Sequence, residues 1–275
     1  MEILDGKSLA LGIKGEVNED IKTLDHKLKL AVILIGSDAA SEVYVKNKER
    51  ACKSVGIDFE LHRFSEISEN RDVISKIRSL NKDKSVTAIL LQLPVPKKFD
   101  ANMLIDAIDP KKDADCLTKV NFGELAQGRS NFAPCTASAI VEILKRHNVA
   151  IEGKRICVVG RSQLVGLPTA LLLTKHNGTV TLCHSKTLNL RKICKKADIL
   201  VVAIGKPKFI TKRYVKKHAV VIDVGINQVD GKLCGDVDFG KVKRRCHLIT
   251  PVPNGVGQLT IAMLLKNIVE LDRKI

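Results

Sequence analysis

A tyrosine and a lysine stand four residues apart in the stretch ASEVYVKNK, residues 40–48. Side chains at i and i+4 of a helix project from one face, one turn apart, so Tyr44 and Lys48 can enter one pocket together. The ring can lie flat against a planar ligand with the amine beside it. A lysine held partly out of water against an aromatic loses basicity and can carry a proton near neutral pH. A half-buried ring next to a solvated charge has the same spacing, so the pair takes its meaning from the rest of the chain.

A second group of residues is organised around glycine. Residues 160–168 read GRSQLVGLP, between an apolar run and an amphipathic one. In that context a turn delivers a helix N-terminus to a pyrophosphate. The two glycines are not spaced as in the usual dinucleotide fingerprint. Gly160 can still make the sharp exit from a strand, and Gly166 leaves room for close backbone approach. Pro168 suits the first turn of a helix, where its missing N–H costs nothing. A site for the free ribose hydroxyls of NAD carries an acid about 20 residues further on. Here the second strand runs out in CHSKT, residues 183–187, which contains none. Ser185 and Lys186, with Arg161 from the first loop, would instead accept a 2′-phosphate, so the expected cofactor is NADP.

The elements that must position these groups alternate between strand and helix. Residues 28–36 (LKLAVILIG) form an apolar strand, and 38–55, which carry Tyr44 and Lys48, a helix. A strand at 57–64, a helix at 70–82 and a strand at 86–94 (VTAILLQLP) follow. This rhythm implies a parallel sheet with helices on both faces. Residues 108–132 are polar and turn-rich, and periodicity resumes in a helix at 136–148. A second alternating unit has strands at 155–160, 179–184, 198–204 and 219–224, with a helix at 167–176. Gly178 is expected to take the left-handed conformation at the exit of that helix. A loop then leads into a last helix at 258–271.

With 275 residues, 45% of them apolar, the chain can bury the core of two ordinary α/β domains. No apolar run approaches the roughly 20 residues that span a bilayer. The start lacks the apolar segment of a secretory signal, so a cytoplasmic protein is expected. The eight cysteines include no C-x-x-C pair, and several sit in apolar runs, which reads as reduced core thiols. The histidines are scattered, and no metal site is expected. The formal net charge of +16 attracts anions. Aromatics at 3% leave little to stack on bases, so steering of anionic substrate and cofactor is favoured over nucleic-acid binding.

Taken together, the segments resemble the bifunctional methylenetetrahydrofolate dehydrogenase/cyclohydrolase family over nearly the whole chain. The resemblance rests on SEVYVKNK with Tyr44 and Lys48, LLQLPVP with Gln92, DPKKDADCLT with Asp115, and APCT at 133–136. It continues through GRSQLVGLP, CHSKT, ADILVVAIGKP, VVIDVGIN and TPVPNGVGQLT.

It implies an α/β fold of two domains: a catalytic, folate-binding domain with a parallel sheet at 1–137 and a Rossmann-like NADP-binding domain at 138–250. Residues 251–275 would be a loop and helix returning to the first domain. It also implies a homodimer, an active site in the interdomain cleft, and tetrahydrofolate derivatives as substrates. No nucleic acid or membrane would be a partner. Lys48 would be the acid/base, Gln92 its hydrogen-bond partner, and Tyr44 would stack on the folate. Asp115 would bind the pterin, with Pro253 and Gly255 also at the substrate. Gly160, Arg161, Ser162, Val165, Gly166, His184, Ser185 and Ile226 would hold the cofactor.

The chemistry suits these residue types. Oxidising the methylene bridge needs mainly proximity and alignment. Hydrolysing the resulting methenyl cation must move protons and needs a base and acid such as Lys48. Five positions depart from the family pattern. Cys116 and Asn254 stand for glycines, Ala137 for a proline, and Gln258–Leu259 for Pro-Met. They bear on the balance of the two activities, and a dehydrogenase without cyclohydrolase activity is the narrower alternative. A basic nucleic-acid-binding protein on an α/β scaffold is the alternative from another class.

Overall fold

The computed structural model describes residues 2–130 and 132–273. β1 (Glu2–Ile3) and α1 (Gly6–Lys22) come first. β2 (Lys29–Ile35) follows, and every residue of it but Lys29 is buried, as a strand covered on both faces requires. α2 (Ala39–Ser54) starts at Asp38, whose carboxylate accepts the Ser41 N–H at 2.8 Å. β3 (Asp58–Phe64), α3 (Asn70–Lys82) and β4 (Ala88–Leu91) complete a three-stranded parallel sheet in the order β3-β2-β4. Val73, Ile77 and Leu80 of α3 share a core with Ala31, Ile33 and Ile89 of the strands. β4 stops short of the expected 86–94. Gln92 N–H still reaches Ile33 O at 2.8 Å, but Pro94 has no N–H to continue the ladder.

α4 (Ala101–Asp106), α5 (Lys119–Ala126) and α6 (Cys135–Arg146) come next. α5 lies inside the stretch that reads as turns. Leu125 is its only buried residue, so its sequence carries almost no apolar period. β5 (Arg155–Val159), α7 (Gly166–Lys175), β6 (Thr179–Cys183), β7 (Ile199–Val202) and β8 (Val220–Asp223) match the second alternating unit, and a short helix outside that reading, α8 (Leu190–Cys194), lies between β6 and β7. An antiparallel hairpin of β9 (Asn227–Val229) and β10 (Lys232–Cys234) follows, turned at Asp230 and Gly231, which both have positive φ. α9 (Phe239–Val242), β11 (Leu248–Ile249) and α10 (Val256–Asp272) end the chain. The second sheet has six parallel strands in the order β1-β11-β8-β7-β5-β6.

The chain divides into two compact units: Met1–Leu11 with Ala133–Thr260, and Gly12–Phe132 with Ile261–Ile275. Packing thus changes unit inside α1 and inside α10, whereas the sequence reading places its limits at 137 and 250. The start of the chain goes with the six-stranded unit because Ile3 pairs with Ile249 and Gly6 N–H bonds Asn254 O at 3.0 Å. The end of α10 goes with the three-stranded unit. Asn267 Nδ2 donates to Ala114 O at 3.0 Å, and Arg273 donates to Asp20 at 2.8 Å.

The exit of α7 differs from expectation in one residue. Asn177 takes the left-handed conformation, with φ of 63°. Gly178 is needed for space instead, since a Cβ there would lie 2.6 Å from Ile156 Cδ1 and 2.9 Å from Leu173 O. Seven of the eight cysteines are buried free thiols, among them Cys157, Cys183 and Cys194 in the core of the six-stranded unit. Among the described residues, no helix is long and apolar enough to cross a membrane.

Candidate active site

In the three-stranded unit, Lys48 Nζ donates to Gln92 Oε1 at 2.7 Å, a bond between side chains 44 positions apart. Gln92 follows the C-terminal end of β4 and is only 5% exposed. Its own Nε2 donates to Leu93 O at 2.6 Å, which turns Oε1 towards the lysine. Lys48 is half-buried on α2, and Tyr44 is half-buried one turn earlier on the same helix. Burial raises the Tyr44 phenol above its ordinary range, so it stays protonated and neutral. Cys52, one turn beyond Lys48, is fully buried, and burial pushes its thiol up to about 12. A nucleophilic thiolate is thereby removed from the candidates.

Asp115 lies in a turn that runs beside β4. Ala114 N–H bonds Ile89 O at 3.1 Å, and Ile89 N–H bonds Lys112 O at 2.6 Å. The carboxylate that builds this turn is that of Asp113. It accepts Thr118 N–H at 2.8 Å and Asn121 Nδ2 at 3.0 Å. Asp115 is half-buried in the same turn. The fully buried Cys116 takes φ of 55°, the conformation a glycine would supply, and its Sγ lies 3.4 Å from Phe132 O. Tyr44, Lys48, Gln92 and Asp115 thus belong to one unit, with direct side-chain contact between the second and third.

In the six-stranded unit, Gly160 leaves β5 with φ of 126°, and a Cβ there would lie 2.1 Å from Ala203 O. Gly166 opens α7, where a Cβ would lie 2.0 Å from Gly160 O. Gly160 is required because its turn passes against Ala203, and Gly166 because the loop folds back on its own backbone at Gly160. Ser162 O accepts Leu167 N–H at 3.0 Å, and Ser162 Oγ accepts Val165 N–H at 3.2 Å. Val165 is the half-buried N-cap of α7.

β6 lies beside β5 in parallel, with Val159 opposite Cys183, so residues 160–162 and 184–185 leave the sheet at the same end. His184 is half-buried. Its backbone N–H bonds Thr187 Oγ1 at 2.8 Å, and its Nδ1 accepts Lys186 N–H at 3.2 Å. Arg161, Ser162, Ser185 and Lys186 are exposed beyond these turns, and Ile226 is exposed after β8. A helix N-terminus, two cations and two hydroxyls without a carboxylate in residues 183–187 suit a phosphorylated dinucleotide.

Pro253 and Gly255 lie in the same unit. Pro253 is exposed, while Gly255 is buried, with Gly6 so close that a Cβ on Gly6 would lie 2.0 Å from Gly255 O. Asn254 takes φ of 75°, so the loop keeps the path of a glycine. Ala137 is buried in the first turn of α6, and in α10 Gln258 is exposed and Leu259 buried.

Residues 4–115 match the catalytic domain of the tetrahydrofolate dehydrogenase/cyclohydrolase family, and residues 134–275 match its NAD(P)-binding domain. The bifunctional protein FolD of Agathobacter rectalis is 50% identical over 276 residues, covering 99% of each chain. The structure of the bifunctional FolD dehydrogenase/cyclohydrolase of Campylobacter jejuni superposes with a TM-score of 0.97 at 38% identity, covering 100% of this chain and 99% of that one. The Trypanosoma brucei FolD, solved with NADP cofactor and an inhibitor, gives 0.93 at 36% identity over 98% and 97%. The chain is therefore a bifunctional methylenetetrahydrofolate dehydrogenase and cyclohydrolase, and it belongs to the tetrahydrofolate dehydrogenase/cyclohydrolase family.

Proposed function

We propose that Lys48 and Gln92 form the proton-transfer centre of an enzyme that oxidises 5,10-methylenetetrahydrofolate with NADP and hydrolyses the methenyl product to 10-formyltetrahydrofolate. The observation that carries the reading is the 2.7 Å bond from Lys48 Nζ to Gln92 Oε1. Gln92 aims the amine without adding a negative charge, so it does not lock the lysine in its charged form. A cationic methenyl substrate beside the amine disfavours a second positive charge and frees the lysine to act as a base. In the hydrolysis, water forms the new C–O bond while Lys48 takes its proton. The proton then passes to the folate nitrogen as the C–N bond breaks, and the hydroxyl proton of the adduct is released to water as the carbonyl forms, leaving the formyl group on the other nitrogen.

Tyr44 offers a neutral ring face to the folate, and Asp115 offers a carboxylate to the amino and N–H donors of the pterin. Pro253 and Gly255 complete the substrate contacts. Gly160 and Gly166 let the loop turn tightly enough to bring the N-terminus of α7 to the cofactor, and Arg161, Ser162 and Ser185 hold its phosphate groups. Val165, His184 and Ile226 line the same end of the sheet. NADP, when bound, supplies the hydride acceptor of the first reaction. We place the enzyme in the cytoplasm as a homodimer, which light scattering in solution tests.

The folate-dependent dehydrogenase assay, titrated in parallel with NADP and NAD, tests substrate and cofactor together. The expected result is NADPH formation with kcat/KM at least tenfold above that for NAD. Equal use of the two dinucleotides would overturn the phosphate reading of Arg161, Ser162 and Ser185.

A further inference from the structure

Two aspartates buried in the six-stranded unit have no part in the site as described. Asp223 ends β8 and is 3% exposed, and Asp236 follows β10 and is fully buried. Among the described residues, neither carboxylate is paired with a cation. Their partners are almost all backbone N–H groups. Asp236 Oδ2 accepts Ile204 N–H at 2.7 Å and Gly205 N–H at 3.0 Å. Its Oδ1 accepts Lys206 N–H at 2.8 Å and Asn227 Nδ2 at 2.9 Å. Asp223 Oδ1 accepts Gly225 N–H at 3.1 Å and Asp236 N–H at 2.9 Å, and its Oδ2 accepts Val237 N–H at 2.9 Å.

The bonds form a chain. The loop after β7 hangs on Asp236, Asp236 hangs on Asp223, and Asp223 also holds the loop after β8. The chain excludes any larger side chain at two points. A Cβ on Gly235 would lie 1.9 Å from Asp223 Oδ2, and one on Gly225 would lie 2.3 Å from Asp236 Cγ. Thr250 ties the start of the chain to the neighbouring strand, since its Oγ1 accepts Asp223 N–H at 2.7 Å.

The two loops held in this way leave the C-terminal ends of adjacent parallel strands, where an open α/β sheet binds its ligand. One of them backs the phosphate loop, because Ala203 O is the atom that any Cβ on Gly160 would strike. The other carries Ile226, 45% exposed beside Asn227, whose amide reaches Asp236. Seven of the bonds converge on four carboxylate oxygens, so loss of either side chain would leave several buried N–H donors unsatisfied. Burying two acids for this purpose is costly unless holding the loops matters.

We propose that Asp223 and Asp236 are positioning residues for the dinucleotide: their carboxylates hold loops 203–206 and 225–227 in the binding-competent arrangement before the cofactor arrives. A loop that must be ordered on binding lowers apparent affinity by the fraction of molecules already competent. The proposal rests on the reading that this unit binds NADP. It concerns the dehydrogenase half alone, since hydrolysis of the methenyl substrate needs no redox cofactor.

The test compares NADP affinity, by titration calorimetry, with cofactor-free hydrolysis of methenyltetrahydrofolate. Asp236→Asn keeps the size of the side chain but turns an amide N–H towards backbone donors. The expected result is an NADP Kd at least tenfold weaker, with hydrolysis within twofold of wild type. Gly235→Ala, which drives a methyl against Asp223, should show the same split. If Asp236→Asn fails to fold by circular dichroism, Asn227→Ala removes a single bond to the same carboxylate and should weaken NADP about threefold. A folded Asp236→Asn or Gly235→Ala with NADP Kd within twofold of wild type would overturn the proposal, as would parallel loss of binding and hydrolysis. For Asn227→Ala, read in place of Asp236→Asn, an unchanged Kd would do the same. Failure of the wild-type enzyme to bind NADP at all would instead remove the functional reading beneath it.

Discussion

Replacing Gln92 by glutamate puts a carboxylate where the amide oxygen now sits, 2.7 Å from Lys48 Nζ. Gln92 is nearly buried and Lys48 half-buried, so water screens the new pair only in part. An opposite charge at that range favours the charged form and raises the lysine pKa by about 1 to 3, equivalent to about 1.4 to 4 kcal/mol. Coulomb attraction alone, about 4 kcal/mol at 4 Å in an effective dielectric of 20, is of the same order before the cost of burying the new carboxylate. The hydrolysis uses the neutral amine. At a fixed pH below both the original and the new pKa, the neutral fraction and the rate therefore fall about tenfold for each whole number by which that pKa rises. Gln92→Glu should lose about ten- to a thousandfold in cyclohydrolase rate and regain much of it as pH is raised. The acidic, rising limb of its pH–rate profile should move up by about 1 to 3 on the pH scale. Gln92→Leu should move the limb the other way, because a half-buried ammonium that loses its acceptor is destabilised. Decay of methenyltetrahydrofolate absorbance across a pH series measures both. A folded Gln92→Glu enzyme with an unshifted profile would refute the electrostatic role given to the amide.

At Cys116, where φ is 55°, the usual order of two small residues should be inverted. Cys116→Gly should be more stable than Cys116→Ala by about 1 kcal/mol in denaturant unfolding, because only glycine takes that conformation freely. Burial raises Asp223 from the usual carboxylate range near 3.8 to about 7, with the charge of Asp236 acting in the same direction and three backbone N–H donors opposing it. The folded state then keeps the proton to higher pH than the unfolded chain. The contribution to stability is full below about pH 4 and is lost as pH rises through about 7. The difference in unfolding free energy between wild type and Asp223→Asn should move in favour of the variant by a few kcal/mol from about pH 5 to 8. A constant difference across that range would show that Asp223 ionises normally.

Much of this architecture is written in local pattern. The run KLAVILI can only be a strand buried on both faces, and its parallel neighbours follow from the helices between them. The i, i+4 spacing of Tyr44 and Lys48 survives directly, since both lie on α2. The partner of Lys48 is another matter. Gln92 is 44 positions away, and neither residue carries a local signal for the other; only the resemblance pairs them. The glycine loop shows the same limit. Its two glycines suggest a tight turn, yet the contact that forbids a side chain at Gly160 is Ala203, just beyond a strand that comes much later in the chain. Asp223 and Asp236 are silent in the sequence for that reason. There they are two acids near glycines, and their function as backbone clamps exists only once β7, β8 and the hairpin are assembled. α5 is hidden differently, because a helix that buries one residue has no period to read.

The most direct measurement follows NADPH formation and methenyltetrahydrofolate decay in the same sample of a Lys48→Met enzyme supplied with methylenetetrahydrofolate and NADP. Methionine keeps the length of the side chain and removes the amine. The account predicts that NADPH still forms at a rate within about tenfold of wild type, while the methenyl species accumulates because its hydrolysis falls by about a hundredfold or more, the ordinary worth of a general base. Equal loss of both reactions in a folded enzyme, or unchanged hydrolysis, would contradict it.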